Sequence, residues 1–246
     1  MKPIFAVAVA LVAAIGVAAT LLFVRVPTPV AGAPLAGATS SSAKDPLAPK
    51  ASGTPQVPGW QVIEINNGAA LDTDKAYDVP PAWRPFGGGL VMFGDHNEVS
   101  LVAPSVYKQG YCTGEPKSWR AMAGLMVAQN KGSLENTAAA TAQLIANTVF
   151  TTKDRVQPET FLGDPRPVTM KDNKKGVLVV AKLTIPVTTK DTCGSAKVSI
   201  AVLVFEMKNP TDDNATLIAM ADQAVPDAVS EEDLQKIVTS FHTATS

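Results

Sequence analysis

An uncharged run from Pro3 to Val24, flanked by Lys2 and Arg25, sets the strongest constraint on what this chain can fold into. As a helix rising ~1.5 Å per residue, a run of this length spans roughly 33 Å, which matches a hydrocarbon core of about 30 Å. It predicts an uncleaved single-pass signal anchor over residues 1–26, in contact with the membrane through residues 3–24. The low share of charged residues, 17% against about 25% in an average soluble domain, agrees with a membrane segment.

A cleaved signal peptide is the alternative interpretation of the same run. Such peptides have an apolar core of about 7–15 residues and end near an A-x-A-like site. Ala31-Gly32-Ala33 has the small residues, but Pro34 follows directly and disfavours cleavage there. With an uncleaved anchor and a very short inner tail, the C-terminal part of the chain is expected on the extracytoplasmic side. With cleavage, the protein is expected to be secreted.

The next segment, residues 27–59, changes composition abruptly and is rich in proline, alanine and serine. It has few large aliphatic side chains, so it cannot bury enough surface to offset the entropy of an ordered chain. We predict a disordered linker over residues 27–59 and one folded extracytoplasmic domain over residues 60–246, which is long enough for a single hydrophobic core.

Within this domain, period-two and continuous apolar runs predict strands. They lie at residues 60–65, 90–93, 99–102, 119–128, 177–185, 198–207 and 216–220. Two apolar stripes at helical spacing predict amphipathic helices, one after Ser133 and one after Ser230 that extends to Phe241. Strands, a helix, further strands and a terminal helix predict an α+β fold, in which an antiparallel sheet carries both helices.

The chain has 2 cysteines, Cys112 and Cys193, and both fall in the exported part. An oxidising compartment favours a disulfide between them. A redox pair is the alternative, but it is typical of cysteines close in sequence, as in C-x-x-C. We predict a structural disulfide.

The order of several short segments resembles a known family. They are Tyr111-Cys112, Trp119-Arg120 at a strand start, a helix near 133–150, Cys193-Gly194 at a turn, and the ending from Val229 to Phe241. Together they resemble membrane-anchored actinobacterial envelope domains of unknown function, similar in fold to the PsbP-like and LpqN-like proteins. The resemblance implies a PsbP-like sandwich and an accessory or binding role in the cell envelope. It implies no catalytic residue.

Composition excludes several classes of function. A formal net charge of −1 argues against nucleic-acid binding driven by phosphate charge. With 2 cysteines and 2 histidines, the chain has few of the side chains that bind zinc, and we predict neither a metal nor a cofactor.

We place His242 at the end of the terminal helix, where a cation suits the helix dipole. His96 lies in a turn beside Asp95, and as a general base it supports an alternative, an envelope-acting hydrolase or transferase.

The best candidate for a ligand-facing surface is Trp83, Arg84 and Phe86, since aromatic residues outside a clear strand often line shallow clefts. The sequence therefore favours a non-enzymatic binding or accessory module of the cell envelope, with an unidentified envelope component or protein as partner. A structural spacer is a further alternative.

Overall fold

The computed structural model describes residues 53–65, 75–87, 89–127, 132–186, 193–206 and 214–244. Within these ranges the elements, in chain order, are β1 (Gln61–Ile65), β2 (Lys75–Val79), β3 (Arg84–Pro85), β4 (Leu90–Phe93), β5 (Val99–Tyr107), β6 (Ala121–Val127), α1 (Leu134–Val149), β7 (Glu159–Leu162), β8 (Arg166–Thr169), β9 (Lys175–Thr184), β10 (Lys197–Phe205), β11 (Ala215–Asp222), α2 (Glu231–Thr239) and β12 (His242–Thr243).

A large antiparallel sheet forms the centre of the described domain. Its strand order is β3-β5-β6-β11-β10-β9-β7, with β4 also paired to β5 and β8 also paired to β9. Strand β10 is apolar at almost every position and lies between β11 and β9, buried on both faces. Continuous apolar runs are typical of strands that are covered on both sides, and the predicted strand at residues 198–207 has such a run.

The two faces of the large sheet have different covers. Helix α1 packs on one face, against the side chains of Val177, Val179 and their neighbours. The other face is covered by α2 and by a small antiparallel sheet of order β1-β2-β12. Because side chains alternate across a strand, Leu178 of β9 belongs to this second core. The sheet therefore separates two hydrophobic cores.

Both helices begin where the sequence predicts them. The Ser133 side chain accepts a hydrogen bond from the backbone N–H of Asn136, and Ser230 accepts one from Asp233 at 3.0 Å. These bonds satisfy amides that a helix start leaves unpaired. Helix α2 ends at Thr239, so Phe241 lies beyond the helix although it is fully buried.

The predicted fold class, an α+β PsbP-like sandwich behind a transmembrane helix, is wrong. The described chain is mostly antiparallel sheet, and the two helices are short, with 16 and 9 residues. Neither of these helices has the length and apolar character needed to cross a bilayer. Sequence patterns underestimated the strand content because β2, β7, β8 and β12 are short and mix polar with apolar residues, so their alternation is weak.

The predicted membrane segment, residues 3–24, and most of the predicted linker lie outside the described residues. The described chain begins at residue 53 and is held by the domain before β1 starts. The backbone N–H groups of Gln56 and Val57 both donate to the Asp78 carboxylate of β2. The predicted boundary near Trp60 is therefore preceded by residues that contact the domain.

Candidate functional site

The two cysteines meet at one end of the large sheet. Cys112 lies in the turn between β5 and β6, and Cys193 lies just before β10. The structure places them at disulfide distance, with Cα atoms 5.8 Å apart, as the sequence predicts. The Tyr111 hydroxyl donates to the carbonyl oxygen of Cys193 at 2.5 Å, which adds a second link across the same junction.

Beside the disulfide, Arg120 is held in a fixed position. Its guanidinium carbon lies 3.7 Å from the centre of the Tyr111 ring, and Nη1 donates to Asp222 Oδ2 at 2.7 Å. Burial raises the pKa of the Asp222 carboxyl, and the hydrogen bond and charge of Arg120 oppose that rise. An arginine stacked on a ring and paired with a carboxylate is both oriented and neutralised.

The two cysteines, Tyr111 and Arg120 line an open cavity of about 450 Å³, which we call the disulfide cleft. Its rim also contains the small side chains of Ser195, Ala196 and Ala224. The Ser195 hydroxyl is buried and donates to the Lys197 carbonyl oxygen at 2.8 Å, which fixes the turn before β10. The cleft thus has a rigid wall on the disulfide side.

A second groove, of about 390 Å³, lies on the α2 side of the same sheet end, and we call it the α2 groove. It is lined by Lys182, Thr184, Lys197, Ser199, Gln223, Glu231 and two apolar strand residues. Lys197 adjoins Ala196 in sequence, and Gln223 adjoins Ala224. The Gln223 N–H donates to the Lys197 carbonyl at 2.8 Å, so one backbone bond joins the strand ends that border the two grooves.

The predicted ligand surface of Trp83, Arg84 and Phe86 is not brought together on one face. Trp83 is 3% exposed and packs in the α2-side core, with its ring centre 6.3 Å from that of Tyr107. Phe86 is half-buried against the α1-side core, while Arg84 is exposed on β3. The three side chains therefore do not form a shared cleft, and their role in binding stays a prediction.

The two histidines lie in different environments. His96 is exposed in the turn between β4 and β5, where its backbone N–H donates to Glu98 Oε2 at 3.1 Å. His242 does not end the terminal helix, as the sequence suggested, because α2 stops at Thr239. It is buried in β12, where it pairs with Ala76 of β2.

A buried polar cluster around Asp78 was not predicted. Asp78 Oδ2 accepts the amides of Gln56 and Val57 at 2.6 and 2.8 Å, and the Asp78 N–H donates to Ser240 Oγ at 2.8 Å. His242 Nδ1 lies 2.7 Å from the Ser240 carbonyl oxygen and 3.8 Å from Asp78 Oδ1. A carbonyl only accepts, so we assign the proton of a neutral His242 to Nδ1.

This cluster lacks the geometry of a catalytic triad. The Ser240 hydroxyl donates to the Ile237 carbonyl at 2.7 Å, and the imidazole faces a backbone oxygen rather than that hydroxyl. Among the described residues, the buried atoms Asp78 Oδ1 and His242 Nε2 have no hydrogen-bond partner. The cluster joins the start of the domain to its last strand. Sequence patterns missed it because Asp78 resembles an ordinary polar residue near a turn.

We expect Asp78 to make the stability of the fold depend on pH. Burial raises the pKa of its carboxyl. Groups that lower this pKa oppose the rise only in part: they are the Val57 amide, His242, the Gln56 amide and Lys171. The folded state therefore binds this proton more tightly than the unfolded chain, whose carboxyl pKa is about 4. The stabilisation is complete below about pH 4 and is lost as the pH rises through the raised pKa.

Urea unfolding of the wild type and of Asp78→Asn between pH 4 and 7 measures this effect. The free energy of unfolding of the wild type, relative to the variant, should fall as the pH rises. Asp95→Asn, in an exposed turn, serves as the control and should keep the wild-type pH dependence. A difference between wild type and Asp78→Asn that does not change with pH would contradict the prediction.

Comparisons with known proteins add a family but no activity. A family model described as "Domain of unknown function (DUF8017)" matches residues 53–246. No curated protein matches the sequence. Among solved structures, the Ran-binding protein Mog1p of Saccharomyces cerevisiae is similar at 9% identity, over 80% of this chain and 96% of that protein, with a TM-score of 0.29. None of these matches assigns a reaction or a ligand to this chain.

Proposed function

The chain belongs to the DUF8017 family of unknown function, and we propose that it is a non-enzymatic binding module that works outside the cytoplasm. Its partner is an envelope component of the cell, held at the disulfide end of the large sheet. The observation that carries this proposal is the disulfide cleft, an open cavity of about 450 Å³ whose walls are fixed by a covalent bond and by paired polar groups.

The location is supported by the cysteines. Disulfides form and persist in oxidising compartments, whereas cytosolic thiols are kept reduced. Cys112 and Cys193 are paired, and the chain has 2 cysteines in all, so no free thiol competes for either partner. An extracytoplasmic location in the envelope of an actinobacterium, as the sequence resemblance implies, is consistent with this chemistry.

A binding role is supported by how the cleft is built. Sites that recognise ligands are usually preformed cavities of about 300–1,000 Å³ with a few oriented polar groups. In the disulfide cleft the guanidinium of Arg120 is oriented by Tyr111 and Asp222 before any ligand arrives. A preorganised side chain loses little conformational entropy on binding. The small rim residues leave the cavity open to solvent.

A variant that fills the cleft tests the proposal. Ala224 is exposed at the rim, and Ala224→Trp adds bulk there without removing any hydrogen bond described above. We expect it to weaken cosedimentation of the purified protein with the insoluble envelope fraction at least tenfold. The free energy of unfolding should change by less than about 0.5 kcal/mol, as for most surface substitutions.

Two further variants serve as controls. Ala82→Trp, in an exposed turn before β3, makes the same change away from the cleft and should bind as the wild type does. His96→Ala removes the base of the alternative enzyme, and binding should be unchanged. Equal saturable binding by Ala224→Trp and the wild type would show that the disulfide cleft is not the binding surface. Absence of saturable binding by the wild type would overturn the proposal and favour the spacer alternative.

A further inference from the structure

The most exposed large apolar side chain of the described residues lies at the edge of the α2 groove. Phe161 of β7 is 69% exposed. Its neighbour Leu162 packs against the α1-side core, so alternation along the strand places Phe161 on the α2 side. In the ladder Phe161 is opposite Lys182 of β9, and Lys182 is opposite Ser199 of β10. The ring is therefore the cross-strand neighbour of Lys182, which lines the groove.

Charged groups of both signs lie in and beside this groove. Glu231 Oε1, at the start of α2, lies 2.9 Å from Lys182 Nζ and accepts the Ser199 hydroxyl at 3.0 Å. Two positions further along β9, Thr184 is paired with the acidic residue Glu159 of β7 on one side and with the basic residue Lys197 of β10 on the other. Two lysines and one glutamate line the groove, and Glu159 lies one strand further out, so the local net charge is small and disfavours a polyanion or a polycation as ligand.

What the groove offers is a mixture of hydrogen-bond donors and acceptors beside an exposed ring. Ammonium and hydroxyl groups donate, carboxylate and hydroxyl oxygens accept, and the Lys182–Glu231 pair holds both kinds close together. A pyranose ring has the matching chemistry, since its hydroxyl groups donate and accept while its C–H face is apolar. An aromatic side chain supplies a rigid apolar surface for such a face.

We propose that the α2 groove binds a neutral oligosaccharide, with one sugar ring stacked on Phe161 and its hydroxyl groups bonded to Lys182 and Glu231. This inference rests on the proposed binding function and names the ligand class for the same end of the sheet. The groove meets the disulfide cleft at the strand ends, where Lys197 adjoins Ala196 and Gln223 adjoins Ala224.

Calorimetric titration of the full chain tests the ligand class. The probes are hexasaccharides of glucose, of mannose and of N-acetylglucosamine, with hexaglutamate and hexalysine peptides as charged comparisons. At least one hexasaccharide should bind with saturation, and neither peptide should bind more tightly than it does. Preferential binding of a peptide would overturn the oligosaccharide assignment.

Substitutions of Phe161 locate the site. Phe161→Ala should weaken hexasaccharide binding at least tenfold, whereas Phe161→Trp, which keeps an aromatic face, should retain it. Leu90→Ala is the matched control, because Leu90 is another exposed apolar residue, 46% exposed, at the opposite edge of the sheet. It should bind as the wild type does. Unchanged affinity in Phe161→Ala would overturn the assignment to this groove.

The two proposals fail separately. If the wild type cosediments with envelope material and Ala224→Trp does not, but no hexasaccharide binds at millimolar concentration, the oligosaccharide inference is wrong and the binding function stands. If neither envelope material nor any hexasaccharide binds, both are wrong.

Discussion

Removing the Cys112–Cys193 disulfide is expected to lower the free energy of unfolding by roughly 4–5 kcal/mol. The two residues are 81 positions apart in sequence, so the bond closes a long loop in the unfolded chain and removes many of its conformations. The loop contains β6, α1, β7, β8 and β9, which is a large part of the main sheet. Urea unfolding of Cys112→Ser/Cys193→Ser, compared with the oxidised wild type, measures the loss.

The reductant dithiothreitol gives the internal control for this variant. It should destabilise the wild type by about the same amount and leave the double variant unchanged. The variant should also bind envelope material less well, since the disulfide and the Tyr111–Cys193 hydrogen bond form one wall of the cleft. Equal unfolding free energies for the oxidised and reduced wild type would show that the bond does not constrain the unfolded chain.

Sequence patterns located the long elements of this fold because each of them has a strong local signal. Strand β9 alternates with period two toward its end, β10 is a continuous apolar run, and both helices follow a serine cap. The same patterns could not reveal β12, which has two residues and exists only because β2 supplies its partner. Its formation is a tertiary event, so no local period predicts it.

The candidate site could be predicted only through the cysteines. The pairing of the cysteines follows from their number and from the compartment. The cleft beside them depends on the contacts of Arg120 with Tyr111 and with Asp222, and Asp222 is 102 positions from Arg120 in sequence. Tyr111 and Arg120 lie in the segments that resemble the known family, but the resemblance assigned no role to either residue. Trp83 illustrates the opposite error: an aromatic residue outside a clear strand resembles a ligand contact, yet this one is a buried core residue.

Truncation of Phe241, a buried aromatic residue just after α2, is the second change with a large expected effect. Phe241 is 1% exposed, and its ring centre lies 4.5 Å from that of Phe205, a fully buried residue of the central strand β10. Lys174 Nζ lies 5.2 Å from the Phe241 ring centre and covers the pair. Phe241→Ala removes a large buried surface and leaves a cavity, so we expect a loss of about 3–5 kcal/mol.

Phe161→Ala is the matched control for this substitution, since it makes the same chemical change at a side chain that is 69% exposed. Its unfolding free energy should stay within about 0.5 kcal/mol of the wild-type value. Phe241→Ala should unfold at a clearly lower urea concentration, with the slope against urea unchanged if the rest of the domain stays folded. A loss below about 1 kcal/mol in Phe241→Ala would mean that the surrounding core collapses into the vacated space, because the cost of such truncations depends on how completely the site refills.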